Sequence, residues 1–181
     1  MSRWVAFLRA VNLGNQRQAK SGELKSTFER VGFEGVTTFR TSGNVIFSAD
    51  QDDPARLTER IEKGLVDAFG FDIPVFLRSE RQVREIARHE PFDARVAASS
   101  EGKLQVSLLV SRPSPPARRQ ALALATDDDR LAIEGSELYW LPSGGTQRSA
   151  LDLRALAELL GPATMRTKGT IEAIVAKFFA A

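Results

Sequence analysis

Two short stretches hold most of the side chains that could do chemistry together. Residues 7–15, FLRAVNLGN, and residues 39–47, FRTSGNVIF, each run an apolar, strand-like segment into a cluster of Gly, Asn, Ser and Arg. The first supplies Arg9, Asn12, Gly14 and Asn15, and the second supplies Ser42, Gly43 and Asn44. These groups are mainly hydrogen-bond donors, with glycines that let backbone amides approach a ligand. Neither cluster contains a carboxylate. That chemistry suits an anionic, nucleotide-like or carbonyl-rich ligand better than a metal. Ser-Gly-Asn is equally ordinary turn chemistry, in which the Asn only satisfies nearby backbone groups.

The elements needed to position these clusters are legible in order. Residues 4–11 are almost continuously apolar, as expected of a central strand. Ser21 is a candidate cap for a helix carrying Leu24, Phe28 and Val31, stopped by Gly32. Residues 35–40 and 45–48 read as strands around a turn at 41–44. Asp53-Pro54 opens a helix with Leu57, Ile61 and Leu65 on one face and Gly70 at its end. Residues 73–78 form a further strand. The order β-α-β-β-α-β is the ferredoxin-like arrangement. In it the first and third strands are antiparallel neighbours, so loop 11–20 and turn 41–44 meet at one rim.

A capping box at Ser79 and Gln82 opens a helix to about residue 88, and residues 91–102 read as a linker. The pattern then partly repeats. Residues 104–111 form a strand and Ser114-Pro115 starts a helix. Strands at 129–134 and 137–141 are joined by Gly135-Ser136. Ser149 and Asp152 suggest a capping box, and a last helix runs over about 170–179. The expected class is therefore α+β, with two ferredoxin-like halves. Residues 1–78 form the first half, 79–102 a helix and linker, and 103–181 the second half with the C-terminal helices.

At these residues the chain resembles the DUF1697 family, whose name assigns no function. The likeness rests on LRAVNLGN at 8–15, GFEGVTTFRTSGNVIFS at 32–48, FGFDIPVFLRS at 69–79, Pro91-Phe92, LYWLPSGG at 138–145 and TMRTKGTIEAI at 164–174. It departs from the family at Arg9-Ala10, where Arg-Gly is usual, and at Gly14-Asn15-Gln16, where a Gly-Gly-Lys-like run is usual. Residues 164–171 replace a segment with an Asn-Trp-Asn centre, although Arg166 and Thr170 persist. The resemblance implies a fold and no activity.

Composition narrows the function classes. The 181 residues are 43% hydrophobic and 27% charged, the balance of a globular protein. Net charge is only +2, but residues 1–49 carry seven Lys/Arg against three Glu, so positive charge collects around the rim. With no cysteine and one histidine, thiolate catalysis and common zinc sites are excluded. No cofactor motif is present. Asp127-Asp128-Asp129 lacks the alternation of a calcium loop and reads as a solvated loop. His89 has no accompanying nucleophile motif. The basic-Gly-aromatic signature of RNA-recognition modules is absent, and Trp4, Phe7 and Phe47 read as core, which disfavours nucleic acid. The absence of any signal peptide or spanning segment points to the cytoplasm rather than a membrane. The sequence carries no signal for oligomeric state.

The leading expectation is a binding protein for a small anionic or nucleotide-like ligand at the rim, with Arg166 a further candidate contact. Residues 164–170 precede the last helix, and a helix N-terminus flanked by Arg166 and Lys168 suits an anion. A capped helix with solvated basic residues would show the same sequence. The alternatives are an enzyme working through donor-rich electrostatic stabilisation, and a weak RNA-binding module.

Overall fold

The computed structural model describes residues 1–11, 18–50 and 53–180. The chain divides into two compact units, one of residues 1–84 and 176–181 and the other of residues 85–175. The elements are β1 (Ser2–Leu8), α1 (Ser21–Val31), β2 (Glu34–Phe39), β3 (Asn44–Ala49), α2 (Pro54–Phe69), β4 (Val75–Ser79), α3 (Glu80–Arg88) and α4 (Ala94–Ser99). They continue with β5 (Gln105–Leu109), α5 (Pro115–Leu122), β6 (Asp129–Glu134), β7 (Glu137–Pro142), α6 (Leu153–Leu160), β8 (Ala163–Thr167) and α7 (Lys168–Phe178).

In the first unit the antiparallel sheet has the order β2-β3-β1-β4. Alternation divides its residues between two faces. Trp4, Ala6, Leu8, Val45, Phe47, Val75 and Leu77 join the core with Leu24 and Phe28 of α1 and Leu57, Ile61 and Leu65 of α2. The spacing of the three α2 residues puts them on one stripe, and all three are fully buried. Each contributes about 1.5–3 kcal/mol of hydrophobic stabilisation. Phe47 meets Phe28 edge-on at 5.4 Å between centroids and Phe33 at 4.6 Å. Val5, Phe7, Ile46, Phe76 and Arg78 alternate onto the other face and are buried too.

Local sequence explains the helix ends. The Asp53 carboxylate accepts from the Ala55 amide, Pro54 takes the first helical position, and Gly70 closes α2 in the left-handed region. At α1 the capping position is Lys20 rather than Ser21. Its carbonyl accepts from Leu24, and its own amide donates to the Glu23 carboxylate. The expected hydroxyl cap is thus replaced by an acidic side chain folding back from the first turn.

The second unit repeats the topology, with sheet order β6-β7-β5-β8. Its core gathers Ala121, Ile133, Leu138, Trp140, Leu151 and Leu156. Here β8 completes a second β-α-β-β-α-β where the sequence pattern indicated five elements and a helix approach. ATMRT has no apolar run, and its buried positions are the polar Thr164 and Arg166, so hydrophobic alternation does not reveal it. A helical turn, α4, stands within the expected linker, capped by the Asp93 side chain on the Arg95 amide.

Two further local readings change. Asp129 is buried rather than solvated, and its carboxylate accepts from Trp140 Nε1 at 2.8 Å and Ser149 Oγ at 2.6 Å. Ser149 is therefore committed to Asp129, and α6 is capped by Asp152, whose side chain accepts from the Ala155 amide.

Candidate functional site

The rim lies at the end of the first sheet where β1 finishes. Leu8 donates its amide to the Gly43 carbonyl at 2.8 Å, and Arg9 donates to the Pro74 carbonyl at 3.0 Å. Those bonds draw the exit of β1, the turn between β2 and β3 and the entry of β4 together. Asn44 pairs with Phe7 on one side and Phe39 on the other. Three residues there adopt left-handed backbone: Ala10 (φ 57°), Arg40 (φ 59°) and Gly43 (φ 75°).

The candidate residues divide by role. Asn44 is fully buried, and its Nδ2 donates to the Phe39 carbonyl at 2.8 Å and to Ser42 Oγ at 3.0 Å. Its amide holds the turn closed. Gly43 is required on two grounds. Its φ is positive, and a Cβ there would lie 2.5 Å from Val11 Cγ2 and 3.0 Å from Leu8 Cβ. Ser42 and Arg9 are exposed. Asn12, Gly14 and Asn15 lie outside the described residues.

Cations gather at this end of the unit. The Arg40 guanidinium stands over the Phe39 ring at 5.2 Å, and Lys177 Nζ stands 5.6 Å from the same ring and 5.3 Å from that of Phe178. Phe39 and Phe178 meet edge-to-face at 5.6 Å. Such cation–π placements hold charged groups against an apolar surface. Asp72, exposed just before Pro74, is a carboxylate on the same side.

Arg166 belongs to the other unit. It sits on β8 opposite Val106, is 7% exposed, and donates Nη1 to Thr164 Oγ1 at 2.9 Å and to the Met165 carbonyl at 2.8 Å. Burial pushes its pKa down to about 10, which leaves it charged at neutral pH. Lys168, which in sequence suited either an anion contact or a solvated position, has its ammonium held by Glu90 at 2.7 Å and Glu172 at 2.8 Å. Burial works against that charge, but Glu172 and Glu90 outweigh it and hold the lysine pKa above its ordinary value.

Sequence reasoning passed over Arg78. It sits on β4 opposite Val5, is 4% exposed, and donates Nη1 to the Leu77 carbonyl at 2.9 Å. It is the counterpart of Arg166. Leu77-Arg78-Ser79 and Met165-Arg166-Thr167 each end a strand that runs directly into a helix. Gln82 N donates to Ser79 Oγ at 3.3 Å, and Thr170 N donates to Thr167 Oγ1 at 3.2 Å. An apolar residue, Arg and a hydroxyl residue, followed three positions on by the capped amide, was the available signal.

Two β-α-β-β-α-β units, each with a four-stranded antiparallel sheet, make this an α+β protein with a duplicated ferredoxin-like plan. Over residues 1–139 the chain matches DUF1697, described as a protein of unknown function, and it belongs to that family. The match spans the rim and ends before β8. A structure of the conserved bacterial protein SP0830 from Streptococcus pneumoniae is similar, with a TM-score of 0.70, 19% identity and 96% of each chain covered. At that identity the likeness concerns the fold. No curated protein matches the chain significantly. Among the described residues no helix is long and apolar enough to cross a membrane, and no group of three or more His, Asp and Glu comes together as a metal site.

Proposed function

We propose that this protein binds a small anionic or nucleotide-like ligand at the rim formed by segment 11–20 and turn 41–44, working in the cytoplasm. The observation that carries the reading is the exposed Arg9 beside a turn whose shape is fixed from within. Asn44 closes the hairpin, Gly43 admits Leu8 and Val11, and Arg40 is exposed at the start of the turn. A rigid turn flanked by guanidiniums binds an anion without the entropy cost of ordering a loop. Asn44 is a positioning residue in this reading. Ser42 stands at the exposed tip with its Oγ accepting from Asn44, and Asn12, Gly14 and Asn15 extend the donor set along the sequence. The proposal does not require Arg166.

The test is a thermal-shift screen of the full chain against inorganic phosphate, nucleoside mono- and triphosphates and small carboxylic acids. The expected result is a concentration-dependent rise in Tm that Arg9→Ala and Arg40→Ala each reduce at least tenfold in apparent affinity. Stabilisation that is unchanged in both variants, or no stabilisation by any compound, would refute it.

A further inference from the structure

The opposite end of the first sheet holds a cleft of about 950 Å³. Arg3 is the second residue of β1 and Arg9 follows its end, so the cleft and the rim stand about 20 Å apart along the strand at about 3.3 Å per residue. The volume lies at the upper end of the range for small-molecule sites, about 300–1,000 Å³.

Four charged side chains line it, Arg3, Arg81, Arg84 and a single carboxylate, Glu80. Glu80 orients two of the guanidiniums. Its Oε2 accepts from Arg3 Nε at 2.7 Å, and its Oε1 accepts from Arg84 Nε at 2.9 Å and Nη2 at 2.7 Å. Backbone carbonyls at the end of α7 add a second restraint, Phe178 accepting from Arg3 Nη1 and Phe179 from Arg84 Nη2. The Phe179 ring lies 4.8 Å below the Arg3 guanidinium. Each arginine is therefore fixed at two points, and Nη2 of Arg3 and Nη1 of Arg84 have no partner among the described residues. The hydroxyl residues Ser48 and Ser79 line the same space. So does Trp4, whose buried Nε1–H has no partner among the described residues.

We infer that this cleft is a second binding site, for a phosphate-bearing small molecule, with Arg3 and Arg84 as pre-oriented donors and Arg81 as the charge at its edge. Arg3 and Arg84 against Glu80 leave the lining cationic, and Arg81 is exposed at its edge. Guanidinium forks match phosphate oxygens, and fixing their planes beforehand removes the rotamer cost that makes flexible basic surfaces bind weakly. Glu80 is a positioning residue here. Its charge opposes an anion, but its hydrogen bonds hold two donors in place.

Calorimetric titration of the full chain with inorganic pyrophosphate tests the inference, with circular dichroism confirming that each variant is folded. Parent protein is expected to bind, and Arg81→Glu, at an exposed position, is expected to weaken binding at least tenfold. Arg84→Lys keeps the charge but loses the fork, and is also expected to weaken it at least tenfold. Arg112→Ala, at an exposed position in the second unit, is expected to leave it unchanged. Arg9→Ala silences the rim, and the losses in Arg81→Glu and Arg84→Lys are expected to persist in that background. The inference is overturned by no heat of binding. It is also overturned if Arg81→Glu and Arg84→Lys bind like the parent, or if Arg112→Ala loses as much affinity as Arg81→Glu, which would reduce the effect to general cationic attraction. Binding abolished by Arg9→Ala alone would support the rim and sink the cleft.

Discussion

Replacing Gly43 by alanine tests the packing that fixes the rim. Two costs apply. At φ 75° an alanine sits in the left-handed region, which costs about 1–2 kcal/mol. Its Cβ would also lie 2.5 Å from Val11 Cγ2 and 3.0 Å from Leu8 Cβ, both inside contact distance. Overpacking of that kind costs about 1–3 kcal/mol. The expected loss is therefore about 2–5 kcal/mol. Gly70 supplies the control. Its φ is 77°, almost the same, yet nothing lies within 4 Å of its would-be Cβ. Gly70→Ala should lose only the backbone component, about 1–2 kcal/mol. The difference between the two variants isolates the contact of the turn with the segment leaving β1. Urea unfolding measures it, and in a Trp140→Phe background the remaining Trp4 fluorescence reports on the unit that contains both glycines. Equal losses in the two variants would show that Gly43 is not pressed against Leu8 and Val11. A neutral Gly43→Ala would refute the closed geometry of the rim altogether.

Two other expectations follow from buried and bridged charges. Hydrogen bonding from Arg3, aided by Arg84 against a smaller cost of burial, holds the Glu80 carboxyl below its ordinary value of 4.5. A carboxylate with a depressed folded pKa stabilises above its unfolded pKa, and that contribution fades as pH falls through the folded one. Glu80→Gln should therefore lower Tm at pH 7, and the gap should close as pH falls below the ordinary value of 4.5 and through the lowered folded one. A constant gap across pH 2–7 would refute the bridge. Asp129→Ala strips the acceptor from the buried Trp140 indole and from Ser149, and should cost about 2–4 kcal/mol in urea unfolding followed by circular dichroism. A loss under 1 kcal/mol would show that the carboxylate does not hold β7 to the 149–152 segment.

The elements that position the rim were legible because local chemistry and hydrophobic period agreed in them. Asp53-Pro54, Gly70 and the Leu57, Ile61, Leu65 stripe each said the same thing about α2. The Gly135-Ser136 hairpin was equally plain, with Gly135 at φ 58°. What stayed hidden were polar side chains committed to the interior. Nothing in Asp127-Asp128-Asp129 says that the third aspartate turns inward to meet an indole eleven residues on. Nothing in ATMRT says that Thr164 and Arg166 face a buried side, because burial of polar groups depends on partners brought by β5. For the rim, spacing and topology indicated that loop 11–20 and turn 41–44 meet; Leu8 and Val11 do approach Gly43, and residues 12–17 of that loop lie outside the described residues. The division of labour, with Asn44 holding the turn and Arg9 exposed, depends on partners that only the folded chain brings together.

The direct passage from β4 into α3, and from β8 into α7, has a consequence for how such a chain can vary. No spacer residue separates strand from helix at either corner, and Ser79 and Thr167 each end the strand while capping the helix. A strand reverses the side chain's face with each residue, while a helix turns it by about 100°. One inserted residue would rotate all of α3 relative to its sheet and carry Val83 and Ile86, now buried, toward solvent. Side chains at these corners can be exchanged within the limits of packing, but their number is fixed. Length variation must be absorbed elsewhere in the chain.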